Sequence, residues 1–310
     1  MTALQQVLAQ LRALDPEFNP AQIAATRDIL APRVPKPDPA HCTVHRDVAY
    51  GADPRQRLDV FAPRAAAAVP RTVFVYVHGG GFVQGDKGGA DAPFFNNVGA
   101  WAVAQGYVGV TVTYRLAPAH PWPAGSADLH AAIEWLRTTV GSFGGDPQRI
   151  VLCGQSAGAT HVAGYIAGHG RPDASRPPLA AAVLVSGVFD LTLVDHSVNH
   201  AAYYGPDRSV DGPRSTLDAL SNTAVPCLYV ICENDPAQFQ VQAAAVLQAC
   251  MAQRGVLPPF IHLAGHNHVS SVLQVGSDID TLGPQLQRFI EAGAGLPGWA
   301  AEVAEPGRPA

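Results

Sequence analysis

Eight short stretches of this chain share one pattern: an apolar or alternating run with many β-branched residues, bounded by Gly, Pro, Asp or Asn. They are residues 41–48, 57–61, 73–77, 107–113, 151–153, 180–185, 227–232 and 260–263, and each has the length of a strand. Between the fourth and fifth, the spacing changes from two to three or four. Leu129, Ala132, Ile133 and Leu136 then fall on one face of a helix over residues 125–139. Strands alternating with helices at this spacing predict an α/β fold. Its central sheet has about eight strands, is mostly parallel, has right-handed crossovers and is flanked by helices. Ahead of the sheet, Leu4, Val7, Leu8, Leu11 and Leu14 mark a helix that Asp15-Pro16 ends, and Asn19-Pro20 reads as the cap and first turn of another. Pro32, Pro35, Pro37 and Pro39 then make a stiff connector into the first strand.

The fifth strand leads into Gly154-Gln155-Ser156-Ala157-Gly158, followed by small residues suited to a tightly packed helix. A G-x-S-x-G sequence between strand and helix is the context of a nucleophile elbow, in which the serine hydroxyl stands above the sheet edge. An ordinary glycine-bearing turn has the same five residues, so its partners decide between the two. Asp235 follows the seventh strand and His268 the eighth, giving the chain order Ser, acid, His. The third strand ends in His78-Gly79-Gly80-Gly81-Phe82, a loop able to offer backbone amides to an oxyanion. Together these four signals imply nucleophilic acyl transfer. Asp190 is a rival acid and His266 a rival base. His268 is preferred because Gly265-His266 opens the loop after the strand, whereas His268 begins the following helix.

Composition changes the picture little. A net charge of −5 gives no basic footprint for nucleic acid or anionic membranes. No apolar run is long enough to span a bilayer, and residues 1–6 lack a basic region followed by an apolar one, so a cytoplasmic location is expected. Five cysteines without recurring spacing argue against a disulfide framework, and Cys153, Cys227 and Cys232 read as small buried hydrophobes. The clusters His41-Cys42-x-x-His45 and His266-x-His268 lack the full ligand set of a zinc site. No metal and no cofactor is expected. The partner expected of such acyl-transfer chemistry is a small-molecule ester, and a homodimer is possible.

His78-Gly79-Gly80-Gly81-Phe82, Tyr114-Arg115-Leu116-Ala117-Pro118, the elbow and Glu233-Asn234-Asp235-Pro236 resemble the hormone-sensitive-lipase-like esterases of the α/β-hydrolase fold. The resemblance covers roughly residues 73–290. Gln155 and Ala159 stand where that family usually has Asp and Gly. The oxyanion loop, the elbow and Asn267-His268-Val269-Ser270 are also similar to the arylformamidase and feruloyl-esterase-like branch. The resemblance implies that Ser156 attacks an acyl carbonyl, that His268 moves its proton and that Asp235 orients the imidazole. The amides of Gly80, Gly81 and Ala157 would hold the oxyanion, with His78 bracing the loop.

From these roles follow a domain division and a substrate class. Residues 1–40 form an N-terminal helical segment placed either over the site as a lid or on the domain flank. Residues 41–293 form the catalytic domain, and 294–310 a flexible tail. Residues 191–223, where periodicity lapses into Asp, Ser, Asn, Gly and Pro, form a lid-like insertion over the mouth. Phe82 and the insertion's Tyr203-Tyr204 are the expected substrate contacts. With Phe94 and Phe95 they imply an apolar pocket of limited depth, suited to short acyl esters. Hydrolysis of N-formylkynurenine or a feruloyl ester is the alternative, and a ligand-binding module without turnover the alternative from another class. The presence of His268 favours turnover.

Overall fold

In the computed structural model, residues 1–171, 179–195 and 197–293 are described. The expected tail, 294–310, lies outside the described residues. Helices α1 (Ala3–Arg12) and α2 (Pro20–Leu30) precede strands β1 (Cys42–Ala49), β2 (Arg57–Pro63) and β3 (Arg71–Val77). Then come α3 (Asn96–Ala104), β4 (Val108–Val112), α4 (Ala124–Thr139), β5 (Gly145–Gln155), α5 (Ala157–Ala167) and β6 (Ala181–Val185). Three short helices follow: α6 (Val198–Tyr204), α7 (Asp211–Arg214) and α8 (Leu217–Asn222). The chain continues through β7 (Cys227–Asn234), α9 (Ala237–Arg254), β8 (Phe260–Asn267), α10 (Ser270–Leu273) and α11 (Gly283–Ala292).

The strands form one sheet in the order β1-β2-β4-β3-β5-β6-β7-β8. β2 runs antiparallel to both β1 and β4, and the other pairings are parallel. Parallel strands are covered on both faces, which is why they read as unbroken apolar runs. In β3, Val73, Val75 and Val77 face Leu129, Ile133 and Leu136 of α4 and Val162 and Ile166 of α5. Phe74 and Tyr76 face the other way, toward Trp101 of α3 and Leu286 and Phe289 of α11. With helices on both faces, the sheet's carboxyl edge is left as the place where loops can gather.

Asn19 caps α2 through its side chain, accepting from the Gln22 amide at 2.9 Å, with Pro20 in the first turn. The two N-terminal helices bury Val7, Leu11 and Leu30 against Phe94, Leu273 and Ile279. Each such side chain contributes about 1.5–3 kcal/mol on burial. The helices therefore sit beside β8 and α10, at the edge that carries His268.

One stretch differs from the sequence expectation, and one helix was not anticipated. The stretch 191–223 is a series of short helices rather than a loop. Ser197 caps α6 by accepting from the His200 amide at 3.3 Å, and Asp190 and Asp207 cap single turns by accepting from the amides of Thr192 and Ser209. Elements this short are set by caps and leave no periodic stripe to read. Helix α9, 18 residues long, buries only Phe239, Gln242, Val246 and Cys250, a stripe diluted by alanines and interrupted by a glutamine. All five cysteines are buried free thiols.

Candidate active site

The pentapeptide around Ser156 has two glycines because two other backbones occupy the space beside it. A Cβ on Gly158 would lie 2.2 Å from the Val77 carbonyl oxygen, and one on Gly154 would lie 2.4 Å from the Gly158 carbonyl oxygen. No side chain fits either place. Between them Ser156 adopts φ 55° and ψ −124°, a strained conformation for a residue with a side chain. Its amide donates to the Val185 carbonyl oxygen at 2.8 Å, pinning the turn to β6. Helix α5 starts at Ala157, so the first amides of that helix lie next to the hydroxyl.

Asp235 immediately follows β7. Its Oδ2 accepts from the Cys232 amide at 2.6 Å and from Ser186 Oγ at 2.7 Å, and its Oδ1 lies 2.5 Å from His268 Nδ1. A ring nitrogen facing a carboxylate carries the proton, so His268 Nε2 holds the free lone pair. That nitrogen has no hydrogen-bond partner among the described residues. The imidazole is 1% exposed. Phe239 stacks on it with ring centroids 4.2 Å apart, and Phe18, between the two N-terminal helices, meets it in a T-shaped contact with centroids 4.7 Å apart.

His266, two residues earlier, sits in a different environment. Its Nδ1 lies 3.1 Å from Ser270 Oγ and its Nε2 3.0 Å from Thr281 Oγ1, and burial pushes its pKa down to about 4. Among the described residues it has no carboxylate partner, and it does not line the cavity that Ser156 and His268 share. Asp190 spends its carboxylate on the Thr192 amide and hydroxyl, at 2.9 and 2.6 Å. Glu233 accepts from the Gly265 amide and lies 3.7 Å from Arg12.

The loop after β3 turns through three consecutive positive φ angles, 134° at Gly80, 58° at Gly81 and 71° at Phe82. His78 braces it from below: Nδ1 lies 2.6 Å from the Gly79 carbonyl oxygen, and the ring stacks on Tyr114 at 4.4 Å. Tyr114 in turn donates to the His78 carbonyl oxygen at 2.9 Å. Burial lowers the His78 pKa to about 4, so this imidazole stays neutral.

Ser156, His268, Gly79–Phe82 and Ala157 all line a cavity of about 930 Å³. One wall is apolar, with Ile23, Phe94, Phe95, Val272 and Leu273. Val188, Asn199, His200 and Gln238 line the cavity as well. Of the three expected substrate contacts, Phe82 lines the cavity and Tyr203 and Tyr204 do not. Tyr203 stacks on the back of Phe82 at 4.7 Å, Tyr204 meets it edge-on at 5.6 Å, and the Tyr203 hydroxyl accepts from the Gly125 amide at 3.2 Å. Both tyrosines support Phe82 one layer behind the surface. From helix α6 it is Asn199 and His200, one turn earlier than the tyrosines, that line the cavity.

Sequence reading missed Ser186, Gln155, Phe18, Phe239 and Asn199. Of these, only Gln155 carried a signal, as a departure from the resembled pattern. Among the described residues no group of three His, Cys, Asp or Glu side chains could hold a metal ion, and no helix is long and apolar enough to cross a membrane.

An eight-stranded, mostly parallel sheet with an elbow serine, an acid after β7 and a histidine after β8 defines an α/β-hydrolase. The profile of the BD-FAE family matches residues 58–245, more than half of the chain, and the chain belongs to that family. It is 40% identical over 164 residues to the carboxylesterase NlhH of Mycobacterium tuberculosis, covering 51% of this chain and 46% of that protein. It is 29% identical over 262 residues to the esterase LipQ of the same organism, covering 76% of this chain and 60% of LipQ. The chain thus spans less than two thirds of either relative. Among solved structures, esterase B from Lactobacillus rhamnosis superposes with a TM-score of 0.69 at 19% identity, covering 94% of this chain and 96% of that one, a likeness of fold.

Proposed function

We propose that this protein is a serine hydrolase that cleaves short-chain carboxylic esters through an acyl-enzyme. The observation that carries the reading is the buried Asp235–His268 pair, 2.5 Å apart, whose free Nε2 lines the same cavity as Ser156. In the first half-reaction Ser156 Oγ bonds to the acyl carbon while its proton passes to His268 Nε2. The C–O bond to the alcohol then breaks, and the same proton goes to the departing oxygen. Water repeats the sequence on the acyl-enzyme, releasing the acid and free Ser156. Asp235 stabilises the imidazolium formed in each half, and its bonds from Ser186 and Cys232 fix its own orientation. The amides of Gly80, Gly81 and Ala157 hold the oxyanion, a donor set in which each member is worth about 3 kcal/mol.

The names of the relatives, esterase and carboxylesterase, support ester cleavage. The apolar wall of Ile23, Phe94, Phe95 and Leu273 supports a short acyl group. Phe18, Ile23 and Arg27 of the N-terminal segment line the cavity, which supports a covering role for residues 1–40, with α6 as the second cover. The test is a panel of p-nitrophenyl esters of increasing chain length, run beside N-formylkynurenine and methyl ferulate. The expected optimum is about two to six acyl carbons, since each added methylene contributes ~1–3 kcal/mol until it meets the wall. A kcat/KM for N-formylkynurenine well above that of every ester replaces this reading with an arylformamidase.

A further inference from the structure

Gln155, the residue before Ser156, is 5% exposed, and its side chain reaches two other parts of the site. Nε2 donates to the His268 carbonyl oxygen at 2.8 Å. Oε1 lies beneath the start of the oxyanion loop, 2.5 Å from where a Cβ on Gly79 would stand. The other side-chain donor to that carbonyl, Ser271 Oγ, is farther away, at 3.4 Å. The ring itself is held at Nδ1 by Asp235 and on its faces by Phe239 and Phe18. Those contacts hold the ring, the Asn267 and Ser270 side chains hold the backbone on either side of His268, and Gln155 is the nearer of the two side chains that donate to the His268 carbonyl itself. The aspartate of the resembled esterases could not make this bond, because an ionised carboxylate only accepts and here it would face a carbonyl oxygen.

We propose that Gln155 is a positioning residue, one that sets the placement of the His268 imidazole over Ser156 by donating to the His268 carbonyl and does not itself touch the substrate. The proposal rests on the Ser156, His268 and Asp235 roles given above. A base displaced by about 1 Å loses up to about a hundredfold in rate while substrate binding, which uses the cavity walls, is unaffected.

The experiment uses the full chain with p-nitrophenyl butyrate and compares Q155L, which keeps the bulk but loses the donor, with Q155E, which keeps the shape and regains a donor only when protonated. S156A in the same panel separates the two levels of the argument. If wild type and S156A turn over ester alike, the triad reading fails, whatever the Gln155 variants do. With Ser156-dependent turnover in place, Q155L is expected to lose at least about tenfold in kcat with KM within about twofold and an unchanged near-UV circular dichroism spectrum. For Q155E the ratio of its kcat to that of wild type is expected to rise as pH falls from about 8 to about 6, because a buried carboxyl protonates above the usual glutamate range. A smaller kcat loss in Q155L, or a loss shared equally with KM, overturns the proposal. If Q155L does not fold, Q155E decides, and a pH-independent ratio overturns the assignment to the donated proton.

Discussion

The elbow and the cover proposed for it are built on opposite principles. Around Ser156 the chain is held by backbone: Gly154 against Gly158, Gly158 against Val77, and the Ser156 amide on the Val185 carbonyl. The cover is held by side chains, with Phe18 edging His268 while itself 38% exposed, and Asn199 lying against Gly81 from a helix seven residues long. Backbone contacts that a single Cβ would break admit almost no variation, so they fix which atom reacts. Side-chain contacts can be exchanged one at a time, so they are where the choice of substrate can change while the chemistry stays the same.

The largest expected effect lies in the first region. Ser156→Ala should lower kcat by about 10³-fold or more, leaving only what the oxyanion amides and binding supply. Circular dichroism should match wild type, and a near-normal kcat in pure variant would remove the distinction between scaffold and cover. Next, His268→Ala should bring a loss of comparable order, whereas His266→Ala should keep the rise of kcat/KM with pH that marks loss of a proton from the base. If that rise vanishes in His266→Ala instead, the two histidines have been assigned the wrong way round.

A smaller effect concerns stability in acid. Burial holds His78 and His266 at about 4 and His161 at about 3, against about 6.5 in an unfolded chain. The unfolded state therefore binds more protons between those values, so stability is complete above about pH 6.5 and falls as pH drops toward 4. Each histidine should cost about 2 kcal/mol by pH 5. Urea midpoints at pH 7 and 5 measure this, and Gln or Leu in place of His266 should remove its share. Equal midpoints at the two pH values would mean that these side chains are not held neutral.

The smallest effect belongs to the cover. Phe18→Ala should leave kcat for acetyl esters within a few-fold and shift the ratio of hexanoyl to butyryl kcat/KM by up to about tenfold. A loss as large as that of His268→Ala would place Phe18 with the scaffold instead.

The same contrast decides what could be read from the sequence. The strands were legible because both faces of a parallel sheet are buried and leave apolar runs such as 73–77 and 227–232. The elbow and the Gly79–Gly81 loop were legible because backbone crowding allows few residue types. Asp235 and His268 followed from chain order and strand ends. Tyr203 and Tyr204 were misplaced because an aromatic pair in a polar stretch gives no sign of which side of a short helix faces the cavity. Ser186, Phe18 and Phe239 were invisible for a related reason. Each acts through a contact with a residue far away in sequence, and none belongs to a local pattern.

The N-terminal helices have a history during synthesis. Their apolar face, Val7, Leu11 and Leu30, closes on Leu273 and Ile279 beside β8, a strand that begins some 230 residues after α2 ends. At roughly 5–20 residues per second the helices leave the ribosome tens of seconds before their docking partners exist. Over that interval they are an exposed greasy surface, available to chaperones or to another nascent chain. The ring of Phe18 reaches His268 only when this docking occurs, so the proposed cover closes late in folding with helices made long before the strand they pack beside.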